Sequence, residues 1–391
     1  MLKRRKYKMG IIETATLVVL IATYILPTGL IATQYQISKL FFVGCIFVLY
    51  VIHCAKSKRM NMREIGMITF LFFATIASRN INFLVFITLP FANIMVQKKE
   101  RIVQYLKQSN ILYVCATFTF IYSVGCFLFL PTPGNESHTR LVRAAIIEIN
   151  QSGLSVFCLG LMLRNKKKKI GNLVLVLGLL TESRSYFLAL FLFAFSQTRI
   201  ARKIVKRIRT EKWTYFKLTL ITNVLLLLVG FLYINLYNRG LILPYNAAKR
   251  TLALNDYSNF FRFSLIVLLC YTALKKPQYL LFGFSDEEYL SHLSQTAGEV
   301  YGVPYGGNQP HNLFYSHLQK YGFFSFIEAY YVSLICRKII TKDNFYIYIA
   351  IVLYSFLLGA GMYSYWLYLS IFALICVDMN KLDFFKLRRN M

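Results

Sequence analysis

The sequence predicts an all-α, polytopic membrane protein with about 12 transmembrane helices and one large extracytoplasmic loop that contains a short helix. Three observations carry that prediction. Hydrophobic residues make up 57% of the 391 positions and charged residues only 16%, which leaves too little polar surface for a water-soluble chain of this length. Apolar stretches long enough to cross hydrocarbon recur from one end of the chain to the other, and in a bilayer each satisfies its own backbone hydrogen bonds only as a helix. The formal net charge is +29, and the basic residues are bunched between the apolar stretches rather than spread along the chain.

In chain order the apolar stretches predict spans at 9–33, 37–55, 65–78, 81–96, 110–130, 144–163, 170–183, 185–198, 218–238, 321–336, 345–361 and 363–377, so residues 1–391 read as a single integral membrane domain. The first follows Lys3-Arg4-Arg5-Lys6 and mimics a secretory signal, but no small-residue cleavage site follows it, so it is expected to be retained. Spans 65–78 and 81–96 are short and joined by the tight turn Ser78-Arg79-Asn80. Spans 170–183 and 185–198 are likewise short and joined by Glu182-Ser183-Arg184-Ser185. Basic clusters lie at 3–6, 56–63, 98–107, 164–169, 199–217, 337–342 and 381–389, and the connections between them on the other side are poor in basic residues. The positive-inside rule therefore places both termini in the cytoplasm. Topology and a mild attraction to anionic headgroups account for the charge, and no nucleic-acid partner is expected.

Residues 239–320 form the one long connection without a span of its own, and long ordered connections usually carry function. Within it, Phe260 to Leu274 is apolar apart from Arg262 and is expected as a helix lying along the outer membrane face or dipping into it. Pro277 and the acidic patch Asp286-Glu287-Glu288 follow, the latter expected as solvated loop surface or a substrate-facing rim. Gly298 to Pro310 reads as irregular loop, and His311-Asn312 stands at the mouth of the tenth span. Of the eight cysteines only Cys270 falls in this segment, so no disulfide is expected.

Four histidines, His138, His292, His311 and His317, lie on the predicted outer side. Histidine exchanges protons near neutral pH without a perturbed pKa, which suits His311 to general-base work, against the plainer reading of a loop histidine hydrogen-bonded to a neighbour. His311 and His317 are six residues apart and would diverge on one helix; no metal site is expected. Arg184 and Arg262 fall at the predicted outer boundary, where a guanidinium fork fits a lipid-linked phosphate; pairing with Glu182 or with headgroups is the alternative for Arg184. Arg79 reads as a residue reaching to headgroups. Tyr301, Tyr305, Tyr315 and Tyr321 suit either stacking on sugar rings or an interfacial aromatic belt. No P-loop or dinucleotide fingerprint is present, and no cofactor is expected.

Three pieces together resemble the O-antigen ligase and polymerase superfamily of bacterial envelope glycosyltransferases. They are Thr181-Glu182-Ser183-Arg184, then Arg262 leading to Lys276-Pro277 and Leu281-Phe282-Gly283, and then Pro310-His311-Asn312-Leu313-Phe314 continuing to Tyr321-Gly322. The matching region covers about 170–340; a Gly-x-Gly often found after the loop helix stands here as Gly283-Phe284-Ser285. The resemblance implies a GT-C-type, metal-independent, inverting enzyme of the bacterial cytoplasmic membrane with an extracytoplasmic active site. The donor would be a polyprenyl-pyrophosphate-linked glycan, with Arg184 and Arg262 on the pyrophosphate, His311 as base, and Asn312 and Tyr315 as loop contacts. A polysaccharide polymerase for capsule or O-antigen is the preferred expectation, a ligase on the same motifs the second, and a flippase of lipid-linked sugars the alternative of another class. Expected partners are membrane lipids and a chain-length regulator or flippase of the same pathway.

Overall fold

The computed structural model describes residues 9–26, 34–57, 68–69, 86–129, 149–181, 183–241, 257–301, 312–358 and 364–389, and every regular element among them is a helix. Two helices, Ser38–Ser57 and Tyr215–Asn238, are long and apolar enough to cross a membrane. Shorter apolar helical stretches stand at several of the other predicted spans: Ile11–Ile25, Ile111–Ile121, Ser185–Ser196, Phe324–Cys336, Phe345–Phe356 and Ser364–Asp378. The predicted span 65–78 lies outside the described residues except for Ile68 and Thr69.

Several elements differ from a simple row of spans for local chemical reasons. The first helix, Ile11–Leu20, widens into a π-helical turn, Ile21–Ile25, and Tyr24 from that turn donates to the Ser155 carbonyl at 2.8 Å. The predicted span 170–183 is a helix, Lys168–Leu177, that tightens into a 3₁₀ turn, Gly178–Thr181. Gly178 makes that possible: a Cβ there would stand 2.1 Å from the Tyr186 hydroxyl, which donates to the Leu175 carbonyl at 2.6 Å.

The helix Ser364–Arg389 runs through the middle of the bundle, with residues 364–376 buried throughout. Phe42 meets Tyr365 and Tyr368 edge-on at 5.8 and 5.3 Å, and Tyr368 donates to the Thr88 carbonyl at 2.5 Å. Tyr368 thus fills volume while its hydroxyl finds a carbonyl to bond, which avoids the cost of an orphaned polar group.

Basic clusters far apart in sequence meet at one end of this bundle. Lys99 lies 3.7 Å from Asp378, Thr341 donates to Asp378 at 2.9 Å, Lys342 donates to the Lys206 carbonyl at 3.2 Å, and Lys166 bonds the Ser109 carbonyl. Residues of the clusters 98–107, 164–169, 199–217 and 337–342 therefore lie at the same end of the bundle.

Within 239–320 the described residues are more helical than their sequence suggests. Its apolar piece is a full helix, Tyr257–Lys275, packed lengthwise on Tyr215–Asn238. Tyr233 stacks on Phe263 at 5.4 Å, a Cβ on Gly230 would touch the Phe263 carbonyl and Val267, and Leu226 and Leu227 join the apolar cluster of Leu265, Ile266, Leu268 and Leu269. Those pairings descend one helix as they ascend the other, so the two run antiparallel.

The acidic patch is also reassigned. Asp286-Glu287-Glu288 opens a helix, Asp286–Tyr301, rather than lying in a loop, with Glu287 and Glu288 exposed as expected of solvated surface. Ser285 and Glu288 bond reciprocally: the Glu288 amide donates to Ser285 Oγ at 3.2 Å, and the Ser285 amide and hydroxyl donate to Glu288 Oε2 at 3.2 and 2.9 Å. This is a capping box, and acids in a first helical turn also oppose the positive end of the dipole. The same helix extends through Gly298 to Tyr301, where irregular loop was expected, and residues 302–310 lie outside the described residues.

Candidate functional site

The turn that carries Arg184 is fixed from both sides. Thr181 donates to the Gly178 carbonyl at 2.8 Å, and Ser183 is the N-cap of Arg184–Ser196, its Oγ accepting from the Tyr186 amide at 3.4 Å. Arg184 is thus the first residue of a helix, where unpaired backbone N–H groups and the macrodipole favour an anion. Its side chain lies outside the described residues.

Arg262 stands within the first two turns of Tyr257–Lys275, next to Phe263, whose carbonyl touches the Gly230 position of the neighbouring helix. That contact needs glycine at 230, since a Cβ would come within 2.5 Å of the Phe263 oxygen. The side chain of Arg262 also lies outside the described residues, as does His311 altogether.

Asn312, adjacent to His311, is the N-cap of the helix Leu313–Tyr321 and uses every hydrogen-bonding position of its amide on protein groups except one acceptor lone pair. Its Oδ1 accepts from the Tyr315 amide at 3.1 Å, while its Nδ2 donates to Asn223 Oδ1 and to the Phe356 carbonyl, each at 2.8 Å. Tyr315 donates its hydroxyl to the Asn223 carbonyl at 2.9 Å, and Asn223 Nδ2 donates to the Thr219 carbonyl at 2.7 Å. Both Asn312 and Tyr315, expected as loop contacts to a substrate, are buried and turned into the protein. Their part is positional: they pin the chain directly after His311.

Two motif pieces meet on the same helix, Phe345–Leu358. Phe356 receives the Asn312 amide, and two residues earlier the Tyr354 hydroxyl stands with Ser183 Oγ over Gly153, at 3.1 and 3.3 Å from where a Cβ would sit. Ser183, before Arg184, and Asn312, before the helix Leu313–Tyr321, therefore approach Phe345–Leu358 two positions apart. Tyr315 also belongs to the apolar cluster built on the helix that carries Arg262.

The glycines of the remaining pieces form a second junction. Gly283 (φ +82°) and Gly322 (φ +55°) are both left-handed, the conformation that glycine adopts without steric cost. A Cβ on Gly283 would lie 2.4 Å from the Lys320 carbonyl carbon, and one on Gly322 would lie 2.6 Å from that of Leu281. Phe284 donates its amide to the Gln319 carbonyl at 2.6 Å. Leu281-Phe282-Gly283 and Tyr321-Gly322, some forty positions apart in sequence, thus interlock backbone to backbone.

Beside the junction lies a buried ionisable pair. His317 Nδ1 is 2.5 Å from Glu328 Oε2, at the edge of a small cavity that Tyr215, Leu313 and Ser325 also line. His292 receives the Lys276 ammonium at 2.8 Å, and His138 lies outside the described residues. Among the described residues no group of three His, Cys, Asp or Glu side chains is placed to hold a metal. Outside the apolar helices, hydrogen bonds from the Ser285 hydroxyl and amide hold the Glu288 carboxyl below its ordinary value.

Asn223 and the His317–Glu328 pair escaped the sequence reading. The signal for Asn223 was present: one amide side chain inside the charge-free, largely apolar run 218–232, where an unpaired amide is costly, implies a buried partner. No protein-family model, no curated protein and no solved structure matches the chain.

Proposed function

We propose that this chain is a polytopic enzyme of the bacterial cytoplasmic membrane that polymerises polysaccharide repeat units delivered on polyprenyl pyrophosphate. The membrane part of the reading is supported by the two long apolar helices and by the stripe from Leu220 to Leu232 on Tyr215–Asn238, whose large apolar side chains are about half exposed. Such a stripe is unfavourable in water and suited to acyl chains. With the basic end in the cytoplasm, both termini are cytoplasmic and the Asn312 end of the bundle faces outward.

The observation that supports the enzymatic reading is the placing of Ser183, which begins the Arg184 helix, beside Tyr354 and the bonding of Asn312, the residue after His311, to Phe356 of the same helix. In the proposed reaction Arg184 and Arg262 hold the pyrophosphate of the donor. His311 accepts the proton of the acceptor hydroxyl as that oxygen bonds the anomeric carbon from the face opposite the leaving group. The bond between the anomeric carbon and the phosphate oxygen breaks, and its electron pair leaves on polyprenyl pyrophosphate. Pyrophosphate needs no acid to depart, so one base and two guanidinium groups suffice.

The test is His311→Ala and Arg184→Ala in the native host, with glycan length read on a gel beside the level of the protein in membranes. Loss of long polymer at normal protein level, with single repeat units on the final acceptor, is the expected result. Long polymer that stays unattached would identify a ligase instead. Normal long polymer from well-expressed His311→Ala would sink the mechanism.

A further inference from the structure

We infer that the helix Arg199–Arg207, with the turn that follows it to Trp213, is a binding surface for anionic phospholipid headgroups of the inner leaflet. The inference rests on the membrane part of the reading above and is independent of the glycan chemistry.

The helix is built for an edge rather than a core. Thr198 caps it, its Oγ1 accepting from the Ala201 amide at 3.1 Å. Only Ala201 and Val205, one turn apart, are buried, and this narrow seam is held by Tyr346, which donates to the Ala201 carbonyl at 3.2 Å, and by Lys342 on the Lys206 carbonyl. Next to the seam on the helical wheel stand Ile200 and Ile204, 65% and 42% exposed. The rest of the circumference carries Arg199, Arg202, Lys203, Lys206 and Arg207, all exposed.

None of these five cations has a carboxylate within ion-pair distance among the described residues. Arg202 turns back on its own chain, to the Gln197 and Thr198 carbonyls. From residue 199 to residue 217 the one acid is Glu211. A surface with an apolar strip along one flank and uncompensated cations along the other matches the boundary between acyl chains and phosphates. Trp213, 43% exposed just beyond the helix, is the side chain that prefers that depth. Each cation held near an anionic leaflet strengthens attachment about fivefold, so the set acts together. The segment also links Arg184–Ser196 to Tyr215–Asn238, so lipid held here steadies two helices that carry the candidate site.

The chain contains two tryptophans, and the other, Trp366, is buried, so Trp366→Phe leaves Trp213 as a single reporter in the full-length protein. Reconstituted in nanodiscs, Trp213 fluorescence is measured with phosphatidylglycerol or phosphatidylcholine brominated on the acyl chain. Expected is quenching several-fold stronger with brominated phosphatidylglycerol, falling to the phosphatidylcholine level when Arg202, Lys203, Lys206 and Arg207 are changed to Gln. Equal quenching by both lipids, or Trp213 open to aqueous acrylamide and quenched by neither, overturns the inference; the second result points to an acidic protein partner. Flotation of the full chain with phosphatidylcholine vesicles after a carbonate wash tests the membrane reading alone. A chain that stays soluble sinks both, and one that floats with equal quenching sinks only the lipid surface.

Discussion

Asn312 and Asn223, from segments 89 positions apart, share a 2.8 Å hydrogen bond between side-chain amides, both buried. Each amide also bonds backbone: Asn312 the Phe356 carbonyl and the Tyr315 amide, Asn223 the Thr219 carbonyl. The pair therefore ties three helices and fixes the backbone that leaves His311. Replacing Asn223 by Leu keeps the volume but leaves Asn312 one acceptor short. A loss of about 1–2 kcal/mol is expected, read as a lower unfolding temperature of the detergent-purified protein. Polymer formation should fall with it, whereas Asn223→Gln should retain part of both.

At the second junction, Gly283→Ala and Gly322→Ala each place a Cβ against backbone that cannot yield, at a left-handed φ. Strain of about 1–3 kcal/mol apiece is expected from the conformation alone, before the overlap is added. Gly298 is the internal control: it lies in the helix Asp286–Tyr301 and a Cβ there meets nothing within 4 Å. Gly298→Ala should stabilise by about 0.5–1 kcal/mol. Thermal unfolding of the three variants in one detergent separates the cases; equal behaviour would refute the interlocked junction.

How far the sequence reveals this arrangement depends on the range of the interaction. Helical class and the gathering of basic clusters follow from hydropathy and charge, which are local and additive. Arg184 beginning a helix was readable from Thr181 and Ser183, residues that cap. The inward turn of Asn312 and Tyr315 was not, because their partners Asn223 and Phe356 lie 89 and 44 positions away and the side chains alone fit a substrate equally well. The capping box Ser285-x-x-Glu288 was readable, but three consecutive acids suggested solvent before they suggested a helix start.

That capping box gives a pH dependence with a definite sign. The Ser285 hydrogen bonds hold the folded-state Glu288 carboxyl below its ordinary value near 4.5. A depressed carboxyl contributes stability above its unfolded value and loses it as pH falls through the folded one. The helix Asp286–Tyr301 should therefore open to protease as the medium becomes more acidic than about pH 4.5. Glu288→Gln keeps a capping amide but cannot titrate. Limited proteolysis between neutral and acidic pH should lose that component of its pH dependence in the variant; an unchanged profile would assign the effect to other carboxyls.

The His317–Glu328 contact joins the helix Leu313–Tyr321 to Phe324–Cys336 across the corner at Gly322, and both side chains are buried. A buried pair of this kind does not by itself stabilise, because taking both groups out of water offsets much of their attraction. Removing one partner is the costly change, since it strands the other. Glu328→Ala or His317→Ala should therefore lose about 3–5 kcal/mol if the pair is ionised, and about 1–3 kcal/mol if it is a neutral hydrogen bond. The joint replacement His317→Leu with Glu328→Leu should recover much of the loss, leaving apolar side chains beside Tyr321 and Ala329. Unfolding midpoints of the two single variants and the double variant form a closed cycle. A double variant as unstable as the sum of the singles would mean that the two residues act separately and that the 2.5 Å contact carries no coupling.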